Sequence, residues 1–469
     1  MRAINPLDNL PPEYPDDGLE QQVRDAVAAS GRKLVVLDDD PTGVQTVHDT
    51  AVLSRWQPDQ LAAELREPAP AFFLLTNSRS LSEPDAAALN REIVRNLKSA
   101  SDQTGVGFAV ASRSDSTLRG HFPAETDVIS AELGGADGVL ICPAFFEGGR
   151  ITVDDVHYLR DGDRYIPVAE TEFARDSTFG YRASDLKEWV AEKTGGRIPA
   201  NNVASLPLAE FRTGGPERAA KLLSAVSDGQ PVVVNAVSYR DLWVVILGLL
   251  RAEAAGKRFV YRTGASFVRA RAGITERPLL DRGELLGSLA APRVAGLVVV
   301  GSHVRRTSEQ LERLLSLRDL APIEVSVPEL LAGGSIRGRQ ITDASAAADA
   351  ALELGLTPVI FTSRNVESDF GDQLAVSRAV SQGLVEIVTG IEKRPGFIVA
   401  KGGITSSDVG TEALGARRAV VLGQIRPGIP VWRLGDETRY PGLAYVVFPG
   451  NVGGQETLAE IVAQLRGDH

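Results

Sequence analysis

The run Gly107-Phe-Ala-Val-Ala111, followed by Ser112-Arg-Ser-Asp-Ser-Thr-Leu-Arg-Gly120, decides how this chain is read. The first five residues have the character of a buried strand, and a helical pattern resumes from Phe122. The polar run therefore falls on a strand-to-helix junction. It carries two guanidiniums, one carboxylate and four hydroxyls. In an α/β sheet, ligands sit beyond the carboxyl ends of the strands. Helix capping accounts for one or two of the Ser, Asp and Thr residues, but not for Arg113 and Arg119 spaced around Asp115. The stretch is read as a grip for a small polyhydroxylated anion.

Working outward, the same design repeats. Lys33-Leu-Val-Val-Leu37 is a strand that runs into Asp38-Asp-Asp-Pro-Thr-Gly43. Three adjacent carboxylates repel one another, so Asp38 and Asp39 are expected to hold a cation, an ammonium or hydroxyl groups. Ala71-Phe-Phe-Leu-Leu-Thr76 ends in Asn77-Ser-Arg79, and Gly138-Val-Leu-Ile-Cys142 breaks at a glycine-rich loop closing on Arg150 and Thr152. Strands alternating with helices imply a mostly parallel sheet whose polar strand ends share one rim. Residues 154–178 look irregular and polar, suited to a lid or a subunit contact. The α/β pattern then resumes, with helices near 184–194, 216–227 and 240–255 and strands at 231–235 and 258–262.

The second half restarts at a strand over 296–300. Further strands are expected at 323–327, 358–362, 396–400, 419–422 and 443–448, and helices at 307–317, 343–353, 368–388, 406–414 and 453–466. The fold class is thus two α/β domains with mostly parallel sheets and an interdomain cleft. An arm over 1–17, a first domain over 18–275 and a second over 295–469 complete the organisation. Three junctions in the second domain leave a strand through glycine and enter a helix: Val300-Gly-Ser302, Ala400-Lys-Gly-Gly-Ile-Thr-Ser406 and Phe448-Pro-Gly-Asn-Val-Gly-Gly454. Glycine lets backbone approach a ligand, and helix starts favour negative charge, so together they form a candidate phosphate cradle. Its members include Gly402, Ile404, Asn451 and Gly453. None matches the P-loop or the dinucleotide fingerprint. A ligand in each domain, brought together across the cleft, would allow phosphoryl transfer.

Composition narrows the classes. The chain has 469 residues, is 43% hydrophobic and carries a net charge of −11, which argues against a nucleic-acid binder. No apolar run approaches the ~20 residues of a membrane span, and the N-terminus lacks an apolar signal core. One cysteine, Cys142, excludes an internal disulfide and reads as a small buried hydrophobe. Five histidines show no metal-ligand spacing. The simplest location is the cytoplasm.

Asp38-Asp-Asp-Pro-Thr-Gly43, Ser114-Asp-Ser-Thr-Leu-Arg-Gly120, Pro143-Ala-Phe to Gly149-Arg150, Gly402-Gly-Ile-Thr405 and Pro449-Gly-Asn-Val-Gly-Gly454 together resemble the four-carbon acid sugar kinase family. That group contains 3-oxo-tetronate, threonate and erythronate kinases. The resemblance runs in order over about residues 33–460. It implies an acid-sugar domain, an ATP domain and phosphorylation of a terminal hydroxyl. By motif, Ser302, Gly403, Thr405 and Gly450 match the ATP-binding positions, and Asp39, Asp115 and Arg119 the substrate side. Physically, Arg119, with Arg113 or Arg150, would bind the sugar-acid carboxylate, and Arg79 and Ser116 stand on the same rim. Asp39 or Asp115 would accept the hydroxyl proton, with Asp115 favoured by its central position. Mg²⁺ is expected with ATP, with no protein ligand identifiable. The partners are a small sugar acid and ATP, without nucleic acid or membrane, and a homodimer is allowed. Two alternatives stand beside it: a different ATP-dependent transferase or ligase on a small hydroxy-carboxylate, using the same two sites, and a non-enzymatic interaction or effector protein.

Overall fold

The computed structural model describes residues 5–287, 293–302, 304–364 and 373–468. The chain forms two compact units, Met1–Glu276 and Arg277–His469. Among the described residues, no helix is long and apolar enough to cross a membrane.

The strands of the first unit are β1 (Arg32–Asp38), β2 (Thr50–Leu53), β3 (Ala71–Leu75), β4 (Gly107–Arg113), β5 (Gly138–Cys142), β6 (Arg150–Val153), β7 (Val156–Asp161), β8 (Arg164–Pro167), β9 (Ala204–Leu206), β10 (Gln230–Val234) and β11 (Phe259–Thr263). Eight of them form a parallel sheet in the order β2-β3-β1-β4-β11-β5-β10-β9. Central strands covered by helices on both faces must be apolar throughout. Leu34, Val35 and Val36 of β1, Phe72 and Phe73 of β3 and Val110 and Ala111 of β4 are accordingly buried. The helix Glu83–Thr104 shows how local sequence supports this packing. Ser82 caps it by accepting from the Asp85 N–H, Gly105 ends it with φ 71°, and Ala86, Ile93, Val94, Leu97 and Ala100 form its buried stripe.

After β1 the chain builds β2 and β3 on one side, then crosses back to place β4 on the other. The direction of winding thus reverses between β1 and β4. The crevice beyond the carboxyl ends of such a strand pair is where open α/β sheets bind ligands. Asp38–Asp40 and the Ser112–Gly120 stretch emerge there.

The second unit contains β12 (Leu297–Val300), β13 (Leu320–Val325), β14 (Thr357–Thr362), β15 (Phe397–Lys401), β16 (Arg418–Arg426), β17 (Ile429–Leu434) and β18 (Ala444–Phe448). Their order is β13-β14-β12-β15-β18-β17-β16. The first five are parallel, and β17 pairs antiparallel with both β18 and β16. Winding reverses between β12 and β15, where the first two glycine turns emerge.

Several expectations need correction. Residues 154–167 are not irregular: β6, β7 and β8 pair antiparallel into a small sheet, and short 3-10 turns follow at Val168–Glu170 and Glu172–Arg175. Arg150 and Thr152 belong to β6 rather than to a loop. The strand expected at 419–422 is the start of a β16–β17 hairpin, turned at Gly428 with φ 77°. The helix expected from 216 begins at Leu208, with a kink at Gly215 just before Pro216. The helix expected over 343–353 spans Gly334–Glu353 and follows a second, Val327–Ala332. Of the helix expected at 368–388, residues 368–372 lie outside the described residues and the rest falls in Gln373–Gly390.

Candidate active site

The parallel register sets Asp38 of β1 directly opposite Arg113 of β4. Arg113 Nη1 lies 3.4 Å from Asp38 Oδ1 and 3.9 Å from Asp39 Oδ1. Gly43 closes the turn so tightly that a Cβ there would stand 2.0 Å from Asp38 Oδ1. Each of the three aspartates has its own surroundings. Burial pushes Asp38 well above the usual carboxylate range, with Arg113 opposing. Burial raises Asp39 to about 6 against the pull of Arg79 and Arg113. For Asp40, burial is outweighed by Arg79 and Thr42, and its pKa is lowered. Arg79 pairs with Asp40 and reaches Asp115 Oδ1 at 3.8 Å.

Asp39 differs from its neighbours in one respect. Both its oxygens are buried, and neither accepts a hydrogen bond among the described residues. A buried carboxylate without hydrogen bonds is costly even beside Arg113, and such groups concentrate where a ligand completes them.

Asp115 is the opposite case. Arg119 Nε donates to its Oδ2 at 2.7 Å, Thr117 Oγ1 donates to the same oxygen, and Arg79 lies beside Oδ1. Burial alone would raise its pKa, but Arg119, Arg79 and Thr117 together hold it well below the usual range. Arg119 is itself engaged, 3.6 Å from Asp176 Oδ2 and stacked over Phe173. Arg150 donates to the Gly148 carbonyl at 2.5 Å and lies over the Phe145 ring.

The loop carrying these groups is fastened through its own backbone. Arg262 at the end of β11 donates to the carbonyls of Asp115 (3.2 Å) and Arg119 (3.1 Å). Tyr181 Oη donates to the Thr117 carbonyl at 2.7 Å. Ser116 is buried, and its carbonyl accepts from His157 Nε2 at 2.8 Å. That contact fixes the His157 tautomer, so Nδ1 accepts from Thr152 Oγ1 at 3.0 Å. Burial drives the His157 pKa down to about 4, which keeps the ring neutral in this role. Sequence reasoning missed Arg262, His157 and Tyr181. The polar end of β11 was a visible hint for Arg262, whereas His157 is recognisable only once β7 is known.

In the second unit, strand register aligns the three glycine turns. Val300 pairs with Lys401, and Lys401 with Phe448. A Cβ on Gly402 (φ 122°) would lie 3.1 Å from Ser302 Cβ and 3.2 Å from Thr405 Oγ1, and one on Gly450 would lie 3.3 Å from Ser302 Oγ. Thr307 Oγ1 links Ser302 Oγ to the Gly450 carbonyl, at 3.2 Å each. Ser302, Gly402, Gly403, Thr405 and Gly450 are thus brought together. Ile404 points outward at 51% exposure, and Asn451 is exposed. The Gly453 carbonyl accepts from Arg306 Nη1 at 2.7 Å. The helix after the first turn begins at Arg305, and His303 lies outside the described residues.

Lys401, at the end of β15, was not singled out from sequence. It is fully buried, donates to the carbonyls of Pro449 (2.6 Å) and Gly450 (3.1 Å), and lies 3.9 Å above the Phe448 ring. Burial, with Arg306 adding to it, lowers its pKa to about 7. Among the described residues, no group of three or more His, Cys, Asp or Glu is arranged to hold a metal ion.

Comparison with known proteins assigns these units to known modules. Residues 34–271 match a sugar-binding N-terminal domain, and residues 297–458 match a nucleotide-binding C-terminal domain. The class is therefore a two-module α/β protein, one module for a sugar and one for a nucleotide. A 3-oxo-tetronate kinase of Cupriavidus necator is 27% identical over 449 residues, covering 92% of this chain and 96% of that relative. A D-threonate kinase of Bordetella bronchiseptica is 39% identical over 108 residues, covering 23% of this chain and 24% of its own. The solved structure of a Haemophilus influenzae protein superposes with a TM-score of 0.61 at 18% identity, over 91% of this chain and 98% of that one, and shares the fold. The chain belongs to the four-carbon acid sugar kinase family.

Proposed function

We propose that this protein is an ATP-dependent kinase that phosphorylates a hydroxyl, the terminal one, of a four-carbon sugar acid of the 3-oxo-tetronate, threonate or erythronate type. The observation that carries the reading is the buried carboxylate of Asp39, without a hydrogen bond on either oxygen among the described residues, at the reversal point of the sugar-binding module. The kinase names of the two curated relatives and the nucleotide-binding module support the ATP half of the reaction.

Asp39, rather than Asp115, is assigned as the base. A base needs a free lone pair and a pKa near the working pH. Asp39 has no hydrogen bond on either oxygen among the described residues and a pKa raised to about 6, whereas Asp115 is held ionised and hydrogen-bonded by Arg119 and Thr117. In the reaction, the acceptor hydroxyl proton passes to Asp39, the alkoxide oxygen bonds to the γ-phosphorus, and the bond to the β,γ-bridging oxygen breaks to release ADP. Arg113 and Arg79 keep Asp39 partly ionised despite its burial, and with Arg119 and Arg150 they offer the positive rim for the acid's carboxylate. The glycine turns around Ser302, Gly402 and Gly450 present backbone to the phosphates. Mg²⁺ carried by ATP would supply charge neutralisation to the phosphates.

The reading is tested by measuring ADP release with threonates, erythronates and 3-oxo-tetronates as acceptors. One or more of these acids should stimulate ADP formation, with one equivalent of a stable ester phosphate for each ADP. ATP turnover with none of them, or an acyl phosphate or amide as product, would replace the kinase by another ligand-binding or ligase activity.

A further inference from the structure

Phosphate cradles need positive charge as well as glycine backbone. The lysine within the second glycine turn does not provide it, since Lys401 is fully buried and spent on the Pro449 and Gly450 carbonyls. Arg306 is exposed and ties down the Gly453 carbonyl. The sheet brings in another cation. β14 lies beside β12, with Phe361 opposite Val300, so Arg364, two residues past the end of β14, arrives next to Ser302. Arg364 Nη1 donates to the Ser302 carbonyl at 2.5 Å.

The other edge of that guanidinium is unused. Nε and Nη2 are both buried, and neither has a hydrogen-bond partner among the described residues. Among the described residues, Arg364 has no carboxylate within ion-pair distance; Glu324 acts on it only from farther off, and burial lowers its pKa. Nε–H and Nη2–H point the same way and form the fork that receives two oxygens of one carboxylate or phosphate. Leaving such donors buried and unmade is costly, and an incoming oxyanion would recover that cost. Arg364 is thus held on Ser302, the residue that Gly402 and Gly450 also approach.

We propose that Arg364 completes the nucleotide site, gripping two oxygens of one ATP phosphate through Nε and Nη2 while Nη1 stays on Ser302. The inference rests on the kinase reading above and assigns a positioning and charge-neutralising residue to it. Arg364→Gln removes the charge and the full fork, and Arg364→Lys retains the charge but not the fork.

The test is calorimetric titration of wild type and both variants with ATP, ADP and adenosine, with a thermal unfolding curve for each protein. Charge-assisted fork contacts of this kind predict a loss of about 10- to 100-fold in ATP affinity in both variants. Adenosine binding should stay within about twofold, since it has no phosphate to lose. Whether ADP follows ATP or adenosine reports which phosphate is gripped. ATP affinity unchanged in Arg364→Gln, or equal losses for ATP and adenosine, would overturn the assignment. The second outcome would reduce Arg364 to a prop for Ser302. A wild-type protein that binds none of the three would overturn the kinase reading itself and the proposal with it.

Discussion

Gly120 lies against Asp39: at φ +123° its bare backbone passes so close that a Cβ there would stand 3.3 Å from Asp39 Oδ2. A side chain at residue 120 would crowd one free oxygen of the proposed base and strain the backbone, because a positive φ disfavours any residue with a Cβ. Gly120→Ala should therefore lower kcat/KM for the sugar acid by about tenfold or more while ATP affinity is retained. Steady-state kinetics with each substrate varied in turn checks this.

Asp39→Asn removes the proton acceptor without changing its size. The expected loss in kcat is about 10²- to 10⁴-fold with ATP binding intact, whereas Asp115→Asn should act mainly by loosening Arg119 and Thr117. In the wild type, kcat/KM for the acid should fall on the acidic side through a single ionisation near the Asp39 pKa of about 6, since only the ionised form accepts a proton.

The same group makes a stability prediction of definite sign. Burial raises the folded-state pKa of Asp39 to about 6, so between roughly pH 4 and 6 the folded state holds a proton that the unfolded chain releases. Its contribution is fully present below the unfolded pKa and is lost as pH rises through the folded one. At pH 8, Asp39→Asn should be more stable than wild type by on the order of 2–3 kcal/mol, and near pH 3 that advantage should disappear. Denaturant melts of the two proteins at both pH values provide the comparison.

His157→Ala leaves the buried Ser116 carbonyl without its donor. A cost of about 1–3 kcal/mol in stability is expected. The KM for the sugar acid should rise while the KM for ATP holds, because the loop that loosens belongs to the sugar-binding module.

Lys401→Met keeps an apolar stem over Phe448 but abandons the carbonyls of Pro449 and Gly450. Loss of those two contacts should free the third glycine turn and weaken ATP binding by about tenfold or more, with acid binding unchanged. Nucleotide titration followed by acid titration separates the two effects.

Much of the molecule was readable in the sequence. The parallel strands announced themselves because Val35, Phe73 and Val110 sit in continuous apolar runs, as sheets covered on both faces require. The polar ends followed, since Asp39 and Asp115 come directly after those runs. The small antiparallel sheet was hidden by its turn. Asp154 and Asp155 both take positive φ, 48° and 67°, where Asn-Gly would have marked a hairpin. Pro430 inside β17 likewise masks a strand. The difference between Asp39 and Asp115 was not readable at all. It depends on which side chains reach each carboxylate, and Arg79, Arg113 and Arg119 could have gone to either.

The central claim is transfer of the ATP γ-phosphoryl group to a hydroxyl of a four-carbon sugar acid, with Asp39 taking the proton. Phosphorus NMR of ATP incubated with the best acceptor, for wild type and Asp39→Asn, tests it most directly. Wild type should convert the γ-phosphate signal into one ester phosphate signal with matching ADP, and Asp39→Asn should leave ATP almost untouched while still binding it. ADP with only inorganic phosphate from the wild type, or ester formation at an undiminished rate in Asp39→Asn, would contradict the account.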